Sequence, residues 1–255
     1  MGAGHAHTLY HHGHTRVHRL PPEVKVAAAF VFVLGVAVTP RHAYWAFALD
    51  ALALVVATRA ARLPLRFVAA RMLVVVPFVA FALLIPFVAG GETIDVWGVS
   101  LSRDGALAAI TILAKAGLGV TTSIVLAGTT EQSRILAGLE RLRVPTVFTT
   151  IAAFMLRYLE ILADEVGRMR TAMRARGYAP RWIGDAGPVA NAAGALFLRS
   201  YERGERVHAA MLSRGFTGTM PRLADEHVTR HDWLTGIGWA LVPAVVALAA
   251  HLAGT

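Results

Sequence analysis

Hydrophobic and polar positions divide this chain into apolar stretches at residues 24–39, 43–58, 72–89, 105–127 and 233–252, with one long polar segment before the last. A helix that crosses a bilayer needs roughly 20 mostly apolar residues. The third, fourth and fifth stretches meet that length. The first two fall short, which predicts one tight helical hairpin turned at Pro40-Arg41-His42. No alternation of the kind that marks a half-buried strand persists anywhere.

The polar segment, residues 128–232, has a different period. Ile135, Leu136, Leu139 and Leu142 fall on one helical face between Glu131 and Arg143, before Val144-Pro145 breaks the pattern. From Thr146, Phe148, Ile151, Met155, Tyr158, Leu159 and Leu162 keep the helical period, and Asp164 and Arg168 form an acid-to-base pair one turn apart. This helix is expected to run to Arg176 and stop at Gly177. A second is expected from about Val189 to Arg214, stopping at Gly215, after a turn around Gly184-Asp185-Ala186-Gly187-Pro188.

Composition agrees with a membrane setting. Hydrophobic residues make up 56% and charged residues 16% of 255, too apolar for a soluble domain of this length. The absence of cysteine removes disulfides, thiolate nucleophiles and Cys-based zinc sites. A net charge of +9 fits nucleic acid, anionic lipid or membrane orientation, and its position beside apolar spans selects the last. Cytoplasmic loops retain arginine and lysine. The loop with Arg59, Arg62, Arg66 and Arg71 is therefore expected in the cytoplasm, together with residues 128–232, which hold 15 of the 25 Lys and Arg and 11 of the 16 Asp and Glu. The loop with Glu92 and Asp95 is expected outside. The first apolar run follows a basic, His-rich stretch without an A-x-A cleavage site, so it reads as a retained span. The expected architecture is an all-α integral membrane protein of about five transmembrane helices: a tail (1–23), a four-span region (24–127), a cytoplasmic two-helix module (128–232) and a last span (233–255). The N-terminus is then cytoplasmic and the C-terminus external.

Both long helices of the module close on one tripeptide type, Ala175-Arg176-Gly177 within AMRARGY and Ser213-Arg214-Gly215 within AMLSRGF. Glycine after a helix accepts the left-handed backbone that ends it. The small residues keep the helix tip narrow, and arginine offers a planar fork that binds a carboxylate bidentately. One reading is a plug that enters a groove on another protein. The other is an arginine that neutralises its own helix end.

These residues resemble the two small-Arg-small signatures of the transmembrane (T) component of energy-coupling factor transporters. VHRLPPEVK (17–25) and LERLRVP (139–145) resemble the lead-in to that family's first span and its short helix before the signature helices. The stretch from FMLRYLEILADEVGRMRTAMRARGY to RSYERGERVHAAMLSRGF is most similar to the CbiQ branch, from cobalt uptake systems. The resemblance implies two cytosolic ABC ATPase subunits, one engaged by Arg176 and one by Arg214, a small substrate-binding membrane subunit, and cobalt or nickel as cargo, with no firmly bound cofactor and no nucleic acid. The chain has no G-x-x-x-x-G-K-[ST] phosphate loop, so ATP hydrolysis is expected on partners and not here. H-E-x-x-H and G-x-S-x-G motifs are also missing, which leaves a membrane enzyme unsupported. The main rival is a conventional ABC permease subunit with its own substrate path; a pure scaffold would read alike.

His5, His7, His11, His12, His14 and His18 cluster in residues 5–18. Neutral imidazoles suit Co²⁺, Ni²⁺ and Zn²⁺, and the alternative is a tail with incidental histidines. Asp50 and Lys115 fall near the middles of the second and fourth apolar stretches. Ionisable groups there face the bundle or a partner, which predicts either a mutual pair or placement at an interface.

Overall fold

The computed structural model describes residues 10, 11, 13, 15–88, 93–96, 99–179, 183–218 and 228–252. They fall into two compact units, one within Arg143–Asp225 and the other within Leu9–Leu142 and Glu226–Thr255.

The larger unit holds the short turn α1 (Arg16–Arg19), α2 (Pro22–Val38), α3 (Tyr44–Ala60), α4 (Leu65–Arg71) continued through a 3-10 turn into α5 (Val76–Val88), then α6 (Arg103–Thr129), α7 (Gln132–Arg141) and α10 (Arg230–Leu252). Pro22 starts α2 at a position where its missing N–H costs nothing. Ser102 caps α6 by accepting from the Gly105 N–H. Between α5 and α6, β1 (Thr93–Val96) and β2 (Val99–Ser102) form an antiparallel hairpin with Thr93 opposite Ser102. This corrects the expectation of no strand: four-residue strands are too short to leave a readable alternation.

The expected hairpin of the first two apolar stretches is also revised. α2 and α3 are helices joined by a turn, but each packs on α6 and α10 rather than flush on the other. Gly35 of α2 lies against α10 so closely that a Cβ would come within 2.8 Å of the Pro243 Cβ and 2.9 Å of the Ala244 nitrogen. Gly236 of α10 lies likewise on the Val24 side chain. Between these points the Phe32 and Trp239 rings stack at 4.5 Å. Small residues that let backbones approach are the usual basis of helix association in lipid. Their order shows that α2 and α10 run parallel. α3 runs against α10, since Ala43 and Ala46 meet Val246 and Ala250 while the Trp239 indole reaches the Ala53 carbonyl. α6 runs against α2: Lys115 meets Ala37 and Lys25 meets Thr129. Residues 22 and 252 therefore lie at opposite ends of this unit.

The smaller unit is α8 (Thr146–Ala175) and α9 (Gly187–Ser213). α7 belongs with the larger unit, because Gly138 rests on the backbone of Pro22 and Glu23, so the compact boundary falls after Leu142 and not at residue 128. By length and composition, Leu65–Val88, Arg103–Thr129, Thr146–Ala175 and Arg230–Leu252 can each cross a membrane. The chain is an all-α, multi-pass membrane protein, whose strands among the described residues are confined to the one small hairpin. α2 and α3, at 17 residues each, fall short of the roughly 20 residues that a span needs, as the apolar pattern predicts. The apolar first half of α8 places that helix among the four that are long and apolar enough, although it lies in the polar segment.

Candidate functional site

α8 and α9 end in the same backbone device. At α8 the Tyr178 N–H donates to the Met173 carbonyl at 3.1 Å and the Gly177 N–H to the Arg174 carbonyl at 3.0 Å, with Gly177 at φ 79°. At α9 the Phe216 N–H donates to Met211 and the Gly215 N–H to Leu212, both at 3.0 Å, with Gly215 at φ 80°. Each is a Schellman motif, in which the two N–H groups beyond the helix satisfy its last carbonyls. The accompanying apolar contact is present in kind, since Tyr178 and Met173, and Phe216 and Met211, line common grooves. Tyr178 is fastened further by its hydroxyl, which donates to the Asp185 carbonyl at 2.6 Å.

Arg176 and Arg214 are the C-cap residues, and all six tripeptide residues are exposed. Among the described residues neither guanidinium has a hydrogen bond or ion pair. Two of the carbonyls at each helix end are already satisfied by backbone, so the arginine is not needed to cap them. It stays available to an outside acceptor.

The two tips are held apart by the way α8 and α9 pair. A groove of about 770 Å³ runs between the last turns of α8 and the first turns of α9, and another of about 460 Å³ runs between the first turns of α8 and the last of α9. The helices are therefore antiparallel, with Arg176 at one end and Arg214 at the other. The 27 residues of α9 at ~1.5 Å each separate the tips by ~40 Å. Midway, buried Glu165 of α8 accepts from Arg199 Nη1 at 3.2 Å and from Arg203 Nη2 at 3.3 Å. One carboxylate between two guanidiniums a turn apart on α9 makes a charge-assisted clasp.

A second clasp lies in the larger unit. Arg141 Nη1 of α7 donates to both carboxylate oxygens of buried Glu23 on α2, at 2.9 and 3.2 Å. Two residues on, the buried Lys25 ammonium donates to the carbonyls of His18 and Thr129 at 3.0 Å and to the Thr130 hydroxyl at 3.2 Å. The start of α2 thus holds the end of α6 with one charge and α7 with another. Sequence reading missed Glu23, Lys25, Arg141, Glu165, Arg199 and Arg203. The spacing of Arg199 and Arg203 was a visible signal, whereas Glu23 and Lys25 read as ordinary charges at the edge of a span.

One expectation is corrected. Asp50 and Lys115 do not pair. Lys115 donates to the Ala37 carbonyl at 2.7 Å, in the last turn of α2 where free carbonyls and the helix dipole attract a cation. Asp50 is fully buried on α3, and neither carboxylate oxygen has a hydrogen-bond partner. Of the six histidines expected to hold a metal, only His11 and His18 lie within the described residues. His18 is buried and structural: its Nδ1 meets the Thr15 hydroxyl at 2.7 Å and its Nε2 the His11 carbonyl at 3.0 Å. His11 is exposed. His5, His7, His12 and His14 lie outside the described residues.

Residues 13–223 match the family model CbiQ, described as cobalt transport protein, a range that includes both tripeptides. The chain is 32% identical over 163 residues to the cobalt transport protein CbiQ of Rhodobacter capsulatus, covering 63% of this chain and 64% of that protein. It is 27% identical over 230 residues to the energy-coupling factor transporter transmembrane protein EcfT of Bacillus selenitireducens, covering 81% of each. With the nickel permease LarQ of Lactiplantibacillus plantarum it shares 31% identity over 139 residues, or 50% of this chain and 47% of that one.

Proposed function

This chain belongs to the CbiQ family of cobalt transport proteins, and from that premise we propose that it is the membrane-embedded coupling component of an energy-coupling-factor importer for cobalt or nickel. Arg176 and Arg214 each seat in a groove on one of two cytosolic ABC ATPase subunits, which hydrolyse ATP. A separate small membrane subunit binds the ion. Relatives named for cobalt and for nickel support this choice of cargo, and the two ions share a preference for nitrogen ligands.

The observation that carries this reading is the duplicated tip: two unengaged C-cap arginines, each on a Schellman-closed helix end, ~40 Å apart at opposite ends of one antiparallel pair. Two separate motor subunits need two separate contacts. When the ATPases close around ATP they shift the tips, and the Glu165 clasp makes α8 and α9 respond as one lever. The chain from α8 leads back through Val144-Pro145 to α7, which Arg141 and Gly138 fix to the start of α2. Motion at the tips is delivered there to the membrane helices.

Orientation follows from the arginine loops: the tail and residues 128–232 lie in the cytoplasm, and α2, α3, α4 with α5, α6 and α10 make five crossings, with the C-terminus outside. The parallel course of α2 and α10 supports an odd number. The His-rich tail then faces the cytoplasm, where it receives or buffers ions after passage.

Isolation of the chain from its native membrane, with identification of co-eluting subunits and of accumulated metal in cells, tests the assignment. Two ATPase subunits, a small membrane subunit and loss of cobalt or nickel uptake on deletion are expected. Purification without any ATPase, or unchanged uptake of both ions, would contradict it.

A further inference from the structure

Two cavities of opposite character meet at Ala60, which lines both. The first, about 240 Å³, is walled by Val17, Leu20, Val24, Ala28, Val56 and Leu126 among others. Lys25 also borders it, but its ammonium is committed to three protein oxygens. The second, about 710 Å³, carries His11, Arg16, Arg19 and Arg62, with no carboxylate in its lining. The single turn α1 divides them: Val17 and Leu20 belong to the apolar wall, Arg16 and Arg19 to the basic one.

Placement and backbone both single out the basic bowl. The cavities gather at the starts of α2 and α10 and the ends of α3 and α6, which is one edge of the helix bundle and not its middle. α3 ends in the same Schellman pattern as α8 and α9, with the Arg62 N–H on Arg59 and the Leu63 N–H on Thr58. The left-handed position that glycine fills in those helices is occupied here by Arg62 at φ 54°, where a side chain is strained. A guanidinium is thus held at the rim in a conformation that favours glycine.

We propose that this is a binding site for one anionic phospholipid, with an acyl chain in the apolar cavity and the phosphate among Arg16, Arg19 and Arg62. An apolar slot and a neighbouring bowl bearing Arg16, Arg19 and Arg62, which share Ala60 at a bundle edge, match an amphiphile with a negative head better than a soluble anion or a neutral lipid. The orientation above decides only that the cytoplasmic leaflet supplies it.

The test uses the full chain, delipidated in detergent without partners, so it is independent of ATPase docking. Binding of dioleoylphosphatidylglycerol, dioleoylphosphatidylcholine and water-soluble glycerol phosphate is measured by native mass spectrometry. One phosphatidylglycerol is expected to bind at least tenfold more tightly than phosphatidylcholine. Arg16→Gln and Arg62→Gln should each weaken it roughly fivefold, the contribution of one arginine near an anionic surface. Ala57→Phe, which fills the apolar cavity, should abolish it. Equal binding of the two lipids, tight binding of glycerol phosphate alone, or arginine variants that retain full affinity would overturn the proposal; those exposed arginines can be replaced without disturbing the fold if Ala57→Phe cannot.

Discussion

Arg141 on α7 reaches across 118 residues of sequence to bond both carboxylate oxygens of Glu23 with one nitrogen. The pair fastens the helix that precedes α8 and α9 to the start of the first long apolar helix. Both side chains are largely buried, so neither charge is well hydrated if its partner is lost.

Arg141→Gln is accordingly expected to destabilise the protein by on the order of 3 kcal/mol, the usual result of leaving one buried charge uncompensated. The double variant Glu23→Gln with Arg141→Gln should lose less than the two single variants summed. Thermal unfolding in detergent across the four proteins gives the coupling directly, and simple additivity would show that the pair does not fasten α7.

The parallel packing of α2 on α10 predicts a contrast among glycines of the same region. Gly236→Ala and Gly35→Ala place a methyl against Val24 and Pro243, and overpacking of this kind costs about 1–3 kcal/mol. Gly238→Ala meets open space and should be neutral or slightly stabilising, as alanine favours helix over glycine. Melting temperatures that fail to separate the first two variants from the third would refute the close approach.

Much of this fold was legible because apolar periodicity depends only on local sequence. α7, α8, α9 and the apolar helices fall within a few residues of where that pattern puts them, and Gly177 and Gly215 mark true helix ends. What stayed hidden depends on which helix neighbours which. No local signal says that Lys115 finds the end of α2 instead of Asp50, that α10 and α6 sit beside both members of the first helical pair, or that Glu165 meets arginines 34 and 38 positions away. The β1–β2 hairpin escaped for a different reason, since four residues per strand carry too few alternations.

Independence of Asp50 and Lys115 is a direct consequence of their separate surroundings. Asp50→Ala and Lys115→Ala should combine additively, to within about 0.5 kcal/mol, in thermal unfolding of the purified protein. Asp50→Ala should cost little, because the carboxylate makes no hydrogen bond to lose and burying an unpaired polar group is unfavourable. A coupling well above that limit would restore the ion pair.

The central claim is that two helix tips serve two motor subunits, and co-purification of the ATPases with tip variants tests it most directly. Arg176→Ala and Arg214→Ala should leave the protein folded in the membrane yet weaken ATPase retention by on the order of 2–5 kcal/mol, as loss of a desolvated interfacial charge does, against the few tenths expected of an arginine that only complements its own helix end in water. Ala175→Trp and Ser213→Trp should block docking by bulk with the arginine still in place. Each tip altered alone should impair attachment, and both altered together should abolish it. Full ATPase retention in all four single variants would contradict the account.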